Sequence, residues 1–489
     1  MKEGYIPKDQ RKKILLLSDD IRTASGVGTM AREIVVHTAH HYNWVNLGGA
    51  VKHPDTGKGF DLSEETNKHI GIDDSDVKVV CVNGYGDSGM LRSVINQEKP
   101  DAIIHFTDPR YWIWLYQMEN EIRQQMPMVF YTIWDDLPYP MWNREFYRSD
   151  DMLLCISKQT KNIVKNVLRD HPKPDWAIQY VPHGINEEKY FPITDDLEFE
   201  EFKEKFLKEK EPNFTVLHTS RNIRRKNTSD IILSWRTFLD QLPVEEAKKC
   251  LLILHTDAVD PNGTDLPRVI EAFCDPEIHK VKISTEKYDQ KQLNYLYNIS
   301  DAHMFMTDNE GWGLGLTESL TAGRMIIAPV QGGMQDQMRF ENENGDWIDF
   351  TTDWPSNADG RYKKCGEWAM PIFPKTRSVK GSPQTPYIFA SQCSIEDASM
   401  ALLKTYKLGK DEIKRRGLEG RKWVMSEEAG FTAKVMGQRF INNIDQLFKK
   451  WKPQPKFNVM KIDNSTIHNN FNPNPISLTP EFIKEIQSI

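Results

Sequence analysis

In this 489-residue chain, Glu310 and Glu318, in the stretch DNEGWGLGLTESLTAGRMIIAP, are the residues whose types and spacing point most directly to chemistry. A turn at Gly313, Leu314 and Gly315 that opens the helix LTESLTAG leaves unpaired amides and the positive end of the helix dipole, which together attract a diphosphate. Glu318 in the first turns is then placed for ribose hydroxyls. Glu310, ahead of the turn, is placed for the group beyond the phosphates. A plainer reading of the same residues is a helix stabilised by acidic side chains near its start, with glycines as punctuation.

The elements that must position these residues are legible as short apolar runs alternating with amphipathic stretches. KILLLS, VKVVCV, DAIIHF and MVFYTI form one series, and FTVLHTS, CLLILHT, KVKIST and RMIIAPV a second. Such alternation predicts an α/β protein with two doubly wound parallel-sheet domains, joined near residues 185–210 and facing a cleft at the carboxyl ends of their strands. The expected boundaries are 1–190 for an N-terminal Rossmann-like domain and 191–430 for a C-terminal one. A last segment, 431–489, holds a helix and an Asn/Pro-rich tail returning toward the first domain. Residues 341–395, rich in Trp, Gly, Pro and Asn, show no clear period and read as an insertion. Near the end, LTPEFIKEIQSI has Thr479 as an N-cap and Pro480 behind it, the pattern of a short docking helix after a linker.

Composition narrows the class. With 39% hydrophobic and 27% charged residues the chain is globular, and its 13 tryptophans and 16 tyrosines are material for ligand stacking. A net charge of -7 argues against non-specific binding to nucleic acid or anionic membrane. Cys81, Cys155, Cys250, Cys274, Cys365 and Cys393 lie far apart without zinc-site spacings, so no metal is expected and they read as reduced thiols of a cytoplasmic protein. The polar start MKEGYIPKDQRKK and the short ILLL after it carry neither a signal-peptide core nor a membrane span, and membrane insertion is not expected.

EGWGLGLTESLTAGRMIIAP resembles the E-x7-E signature of the retaining, nucleotide-sugar-dependent glycosyltransferases of GT-B fold, with Trp312 where Phe is usual. The resemblance implies that Glu310 contacts the donor sugar and Glu318 the nucleotide ribose. TSRNIRRKN is similar to the family's strand-end Arg followed by Lys, which implies Arg221 and Lys226 on the donor diphosphate, where two cations offset the charge of the departing group. SGVGTMARE resembles the GGVG loop, with Ser25 for the first Gly, and implies Gly26, Val27 and Gly28 near the diphosphate. VPHGIN with YFP resembles the interdomain connector, and QGGMQDQ the later GG turn, where Gln335 stands in place of the common Glu. After VFYTI the family has His-Asp, whereas this chain has Trp134-Asp135-Asp136. Asp135 is therefore a candidate for a sugar hydroxyl, Trp134 for stacking on an acceptor or as a structural strand-end aromatic, and His105 is a further strand-end candidate.

The reaction so implied moves a sugar from a UDP- or GDP-linked donor to an acceptor hydroxyl with retained configuration. It needs no metal or other cofactor and no carboxylate nucleophile. The expected acceptor is a glycan or small metabolite. A hydroxylated base in DNA is the alternative, drawing on PRYWIWLYQ and base extrusion. Two other classes fit the same scaffold, a sugar-nucleotide epimerase and a catalytically silent sugar-nucleotide-binding protein. Oligomeric state is not encoded in any feature of the sequence.

Overall fold

The computed structural model describes residues 4–208 and 211–455; the Thr479–Pro480 segment lies outside the described residues. Eight strands form the N-terminal sheet: β1 (Lys13–Asp19), β2 (Asn43–Ala50), β3 (Gly59–Asp61), β4 (Val77–Asn83), β5 (Ala102–Phe106), β6 (Met128–Thr132), β7 (Met152–Cys155) and β8 (Ile178–Tyr180). Their order is β3-β4-β2-β1-β5-β6-β7-β8, and every pair is parallel except β3 with β4. Central β1 is apolar on both faces, as a strand covered on both sides must be. Ile14 and Leu16 enter one core, and Leu15 and Leu17 the opposite one.

The second sheet contains β9 (Phe214–Thr219), β10 (Cys250–His255), β11 (Val281–Ser284), β12 (Ala302–Met304), β13 (Met325–Pro329) and β14 (Ala369–Ile372), all parallel, in the order β11-β10-β9-β12-β13-β14. In each sheet the chain winds outward from one central strand and then restarts on its other side, between β1 and β5 in the first and between β9 and β12 in the second. Loops diverge at those two points and open a crevice there.

Part of the region read as an insertion is integral to the second sheet. β14 pairs along β13 as its edge strand, and it was hidden in the sequence because Pro371 sits inside it, a residue that only an edge strand accommodates. Beyond β14, β15 (Thr376–Ser382) and β16 (Thr385–Gln392) form a separate antiparallel hairpin.

Five helices matter for the site: α1 (Gly26–Thr38) after β1, α2 (Lys158–Val167) after β7, α3 (Thr228–Leu239) after β9, α4 (Leu314–Thr321) after β12, and α5 (Ala433–Lys450). The chain passes between the sheets twice, side by side. Ile185 N–H donates to the Phe431 carbonyl at 2.9 Å and Ala433 N–H to the Ile185 carbonyl at 3.0 Å. Gly184 is required there, since a Cβ would lie 2.2 Å from the Thr432 carbonyl oxygen. From this crossing α5 packs against α1 on the N-terminal lobe. No described helix is long and apolar enough to cross a membrane.

Candidate active site

The two crevices face each other and merge into a cavity of about 1150 Å³. Both glycine turns border it, and they approach closely: a Cβ on Gly26 would stand 3.4 Å from the Leu314 side chain.

On the C-terminal side the turn is held from below. Gly313, at φ 85° and ψ 67°, sits in the left-handed region that starts α4 and that a side chain would strain. His303 on β12 is neutral, because burial pushes its imidazole down to about 3. Its Nδ1 faces the Gly315 carbonyl at 2.8 Å and its Nε2 accepts from Thr219 N–H at 3.1 Å, which pins the start of α4 to the end of β9. Gly315 admits this ring, since a Cβ would lie 2.8 Å from it. The Gly332–Gly333 turn lies against Glu310 and Gly311: a Cβ on Gly332 would reach the Glu310 carbonyl oxygen at 1.8 Å, and Gly333 N–H donates to the Gly311 carbonyl at 3.0 Å. Trp312 turns inward, its indole donating to Thr317 at 2.9 Å, and Gln337 closes the network on the Trp312 carbonyl at 2.6 Å.

A three-residue 3-10 turn, Arg224–Lys226, brings the basic loop to Glu310. Lys226 Nζ donates to Glu310 Oε2, and Arg225 approaches the same oxygen at 3.7 Å while donating to the Asn309 carbonyl at 2.6 Å. Burial works against both charges, pushing the carboxyl up and the ammonium down. At Glu310 the two cations outweigh it, and the carboxyl lies below its usual range; at Lys226 burial prevails over Glu310. Arg221 also lines the cavity but is largely exposed, and its Nε donates to Asp260 at 2.9 Å. Glu318 is not part of the cavity wall. It stands one turn along α4 and accepts from the Tyr297 hydroxyl at 2.6 Å; burial raises its carboxyl, with Tyr297 and Tyr190 opposing.

On the N-terminal side Ser25 caps α1, accepting from Gly28 N–H at 3.0 Å and donating to Asp19 at 2.5 Å. Gly26 and Val27 line the cavity. Gly28 does not, and its lack of a side chain serves packing, because a Cβ would meet Thr23 Oγ1 at 2.3 Å.

Asp135 and Asp136, after β6, both border the cavity. Burial pushes Asp135 up to about 6, Arg225 opposing and Glu310 adding to the rise; burial and then the charge of Asp135 push Asp136 to about 9. Asp136 Oδ1 is enclosed without a hydrogen-bond partner. At neutral pH the pair therefore carries a proton, a consequence of two adjacent carboxyls sharing a poorly hydrated site.

Of the two acceptor-side candidates, Trp134 borders the cavity and His105 does not. Trp134 packs edge-on to Trp142 and donates its indole N–H to the Asp136 carbonyl at 3.0 Å, so it is a largely buried support that also lines the cavity wall. His105 lies on the face of β5 opposite Phe106, the neighbour that lines the cavity. It stacks on Phe130 and meets Asp150 at 3.0 Å, fully buried and away from the cleft. The period of two along the strand decides this.

Cavity residues that were not named individually from the sequence include His183, Arg110 and Lys380. His183, from VPHGIN, lines the cavity beside Trp312, 2.8 Å from the Tyr131 hydroxyl; burial brings it down to about 3, so it is neutral. Reading VPHGIN as a connector concealed it. Arg110 and Lys380 also line the cavity, paired with Asp108 at 2.5 Å and Asp308 at 3.4 Å.

The spacing of cysteines predicts no metal cluster, yet Asp20, His53 and Cys81 bring ligand-type atoms together beneath β1 and outside the cavity wall. Arg22 already bonds Asp20 at 2.7 Å and Cys81 at 3.0 Å. His53 Nδ1 accepts from Asp55 N–H, so its Nε2 bears the proton it gives Asp20. With a guanidinium among them and the imidazole lone pair used elsewhere, these residues do not fit a cation. All six cysteines are unpaired.

No protein-family profile matches the chain, and no curated protein matches it by sequence. Solved structures match across nearly its whole length. They include a glycosyltransferase from Rickettsia africae ESF-5 (15% identity, 90% of this chain and 100% of the other, TM-score 0.58). Sucrose-phosphate synthase from Thermosynechococcus elongatus (13%, 90% and 100%, 0.59) and Anabaena HepE in complex with UDP-glucose (13%, 89% and 100%, 0.60) match similarly. At such identities the likeness establishes the fold: the chain has the GT-B fold, two Rossmann-like domains about a central cleft.

Proposed function

We propose that the protein is a retaining glycosyltransferase that moves a sugar from a UDP- or GDP-linked donor to an acceptor hydroxyl without a metal ion. The observation that carries this reading is the placement of Glu310 between Lys226 and Arg225, at the point where the two glycine turns face each other. A diphosphate lying between the turns receives backbone amides from both helix starts, and the cations of 221–226 neutralise it. Arg221 and Arg224, exposed at the rim, meet it first; Lys226 bonds it from below while still orienting Glu310.

In this reading Glu310 stays ionised and holds a hydroxyl of the donor sugar, and Glu318, which stands on Tyr297 one turn behind the cavity wall, takes the ribose when the donor seats against the start of α4. The bond between the anomeric carbon and the diphosphate oxygen breaks with its electron pair going to the diphosphate. The acceptor oxygen bonds that carbon on the same face, and its proton passes to the departing phosphate oxygen. Positive charge at 221–226 is worth most in the transition state, where the leaving oxygen gains charge in a cleft of low dielectric. Asp135 and protonated Asp136 orient acceptor hydroxyls, one accepting and one donating.

A thermal-shift screen of nucleotides and nucleotide sugars tests this. A donor present at 100 times its Kd stabilises by about 2.7 kcal/mol and raises Tm. Transfer or hydrolysis of that donor by the wild type above a Glu310→Ala control supports the reading. Absence of any shift with UDP-, GDP-, ADP- and dTDP-linked sugars refutes it.

A further inference from the structure

The hairpin β15–β16 is the part of the molecule that the reading above leaves unused, and it is anchored at three places. Its base closes where Lys375 N–H donates to the Gln392 carbonyl at 2.9 Å, and it stays with the second sheet through Cys393, whose Sγ meets the Ile372 carbonyl at 3.5 Å. Near its far end, Lys380 reaches Asp308 on the donor side at 3.4 Å. Its middle crosses to the other lobe: Phe389 N–H donates to the Leu137 carbonyl at 2.6 Å, Tyr387 meets Trp142 edge-on at 4.5 Å, and Ile388 packs on the core that contains Trp134. An element of the C-terminal half thus binds directly beside the Asp135–Asp136 pair.

Alternation along β16 gives its faces separate tasks. Ile388, Ala390 and Gln392 line the main cavity, while Phe389 and Ser391 line a space of about 40 Å³ behind the two carboxylates. Asp135 and Asp136 border both spaces, so the hairpin shields them from two directions. Shielding of that kind is what keeps a carboxyl such as Asp136 protonated.

We propose that this hairpin is the acceptor-selecting wall of the site. Docked on Leu137, it keeps bulk water from the anomeric carbon and admits a polyhydroxylated ring, whose apolar face packs on Ile388 and Ala390 while its hydroxyls meet Asp135 and Asp136. The inference rests on the donor reading above. Without the wall, water takes the acceptor's place: its oxygen bonds the anomeric carbon as the carbon–diphosphate bond breaks, and its proton leaves on the nucleoside diphosphate.

Phe389→Pro tests the proposal, because this N–H points to Leu137 and its loss leaves the hairpin's own rungs in place. A second variant, Tyr387→Ala with Ile388→Ala, undocks the same surface by side chains alone and covers the case in which the proline variant does not fold. UDP-glucose and GDP-mannose serve as donors with no acceptor added, and UDP and GDP binding is measured by calorimetry. In the undocked variants hydrolysis rises about 10-fold, since exclusion of water suppresses such side reactions, while nucleotide Kd stays within about 3-fold. Wild-type hydrolysis rates in both folded variants, with nucleotide binding intact, overturn the hairpin proposal and leave the donor reading standing. Failure of the wild type to bind either nucleotide overturns both.

Discussion

The two banks of the cleft solve opposite electrostatic problems. On the C-terminal bank Glu310 is kept ionised by Lys226 and Arg225, against a burial that would neutralise it. At Asp135 and Asp136 burial prevails and raises both carboxyls, with Arg225 and Lys226 opposing at Asp135 and Arg225 and Arg110 opposing at Asp136. Carboxylates of one chemistry, near enough that all three border one small space and Glu310 adds to the rise of Asp135, are thus given different proton affinities by what surrounds them. The teaching is that a fixed charge suits a bank that holds a pyrophosphate ester, and a shared proton suits a bank that must both give and take hydrogen bonds with hydroxyls.

The contrast breaks most sharply at Lys226. Lys226→Ala leaves Glu310 buried with Arg225 at 3.7 Å as its remaining cation, and removing one member of such a pair costs about 3 kcal/mol, with donor turnover falling at least ~100-fold. Pairing it with Glu310→Gln restores most of the melting temperature but none of the turnover, which separates the structural from the catalytic share. Exposed Arg221 behaves differently: Arg221→Ala changes stability by less than about 0.5 kcal/mol while turnover drops roughly 10-fold. Equal losses of stability in the two variants would contradict the burial difference between them.

A smaller effect concerns what holds the banks together. Asp336 of the C-terminal lobe accepts from Lys158 N–H and from the Tyr180 hydroxyl of the other lobe, both at 2.9 Å, and burial raises its carboxyl to about 7. A raised folded pKa means that the folded protein holds the proton more tightly than the unfolded chain. The stabilisation is complete below about pH 4 and is lost as pH rises toward 7, at up to about 1.4 kcal/mol per pH unit. Asp336→Asn keeps an acceptor at that position without the ionisation, so the fall of Tm between pH 5 and 7.5 flattens relative to the wild type. An unchanged slope places the titration elsewhere.

The mildest test sharpens the other bank. Because an amide resembles a protonated carboxyl, Asp136→Asn leaves turnover at pH 7 within about 2-fold and removes the decline expected as Asp136 ionises near pH 9. A large loss at pH 7 shows instead that Asp136 works as the anion.

Gln335 illustrates why a departure from a family pattern is resolved only in three dimensions. Its amide donates to Gln159 on α2 at 2.8 Å and its carbonyl accepts from Asn357 N–H at 2.8 Å, bridging the lobes through a buried neutral group. A glutamate there would bring a charge into the same enclosure with no cation among these partners.

Whatever depends on neighbours in the chain was readable in advance. Apolar runs of strand length, the helix opened by the turn at Gly313, and the glycines between two glutamates follow from backbone sterics and side-chain period, which act over a few residues. Packing decided the remainder. Glu310 meets Lys226 across 84 positions, Leu137 takes a hydrogen bond from Phe389, and one step along β5 exchanges His105 for Phe106 at the cavity wall. Those outcomes depend on strand register and on which distant surfaces exclude water together, and no local preference of the chain encodes either.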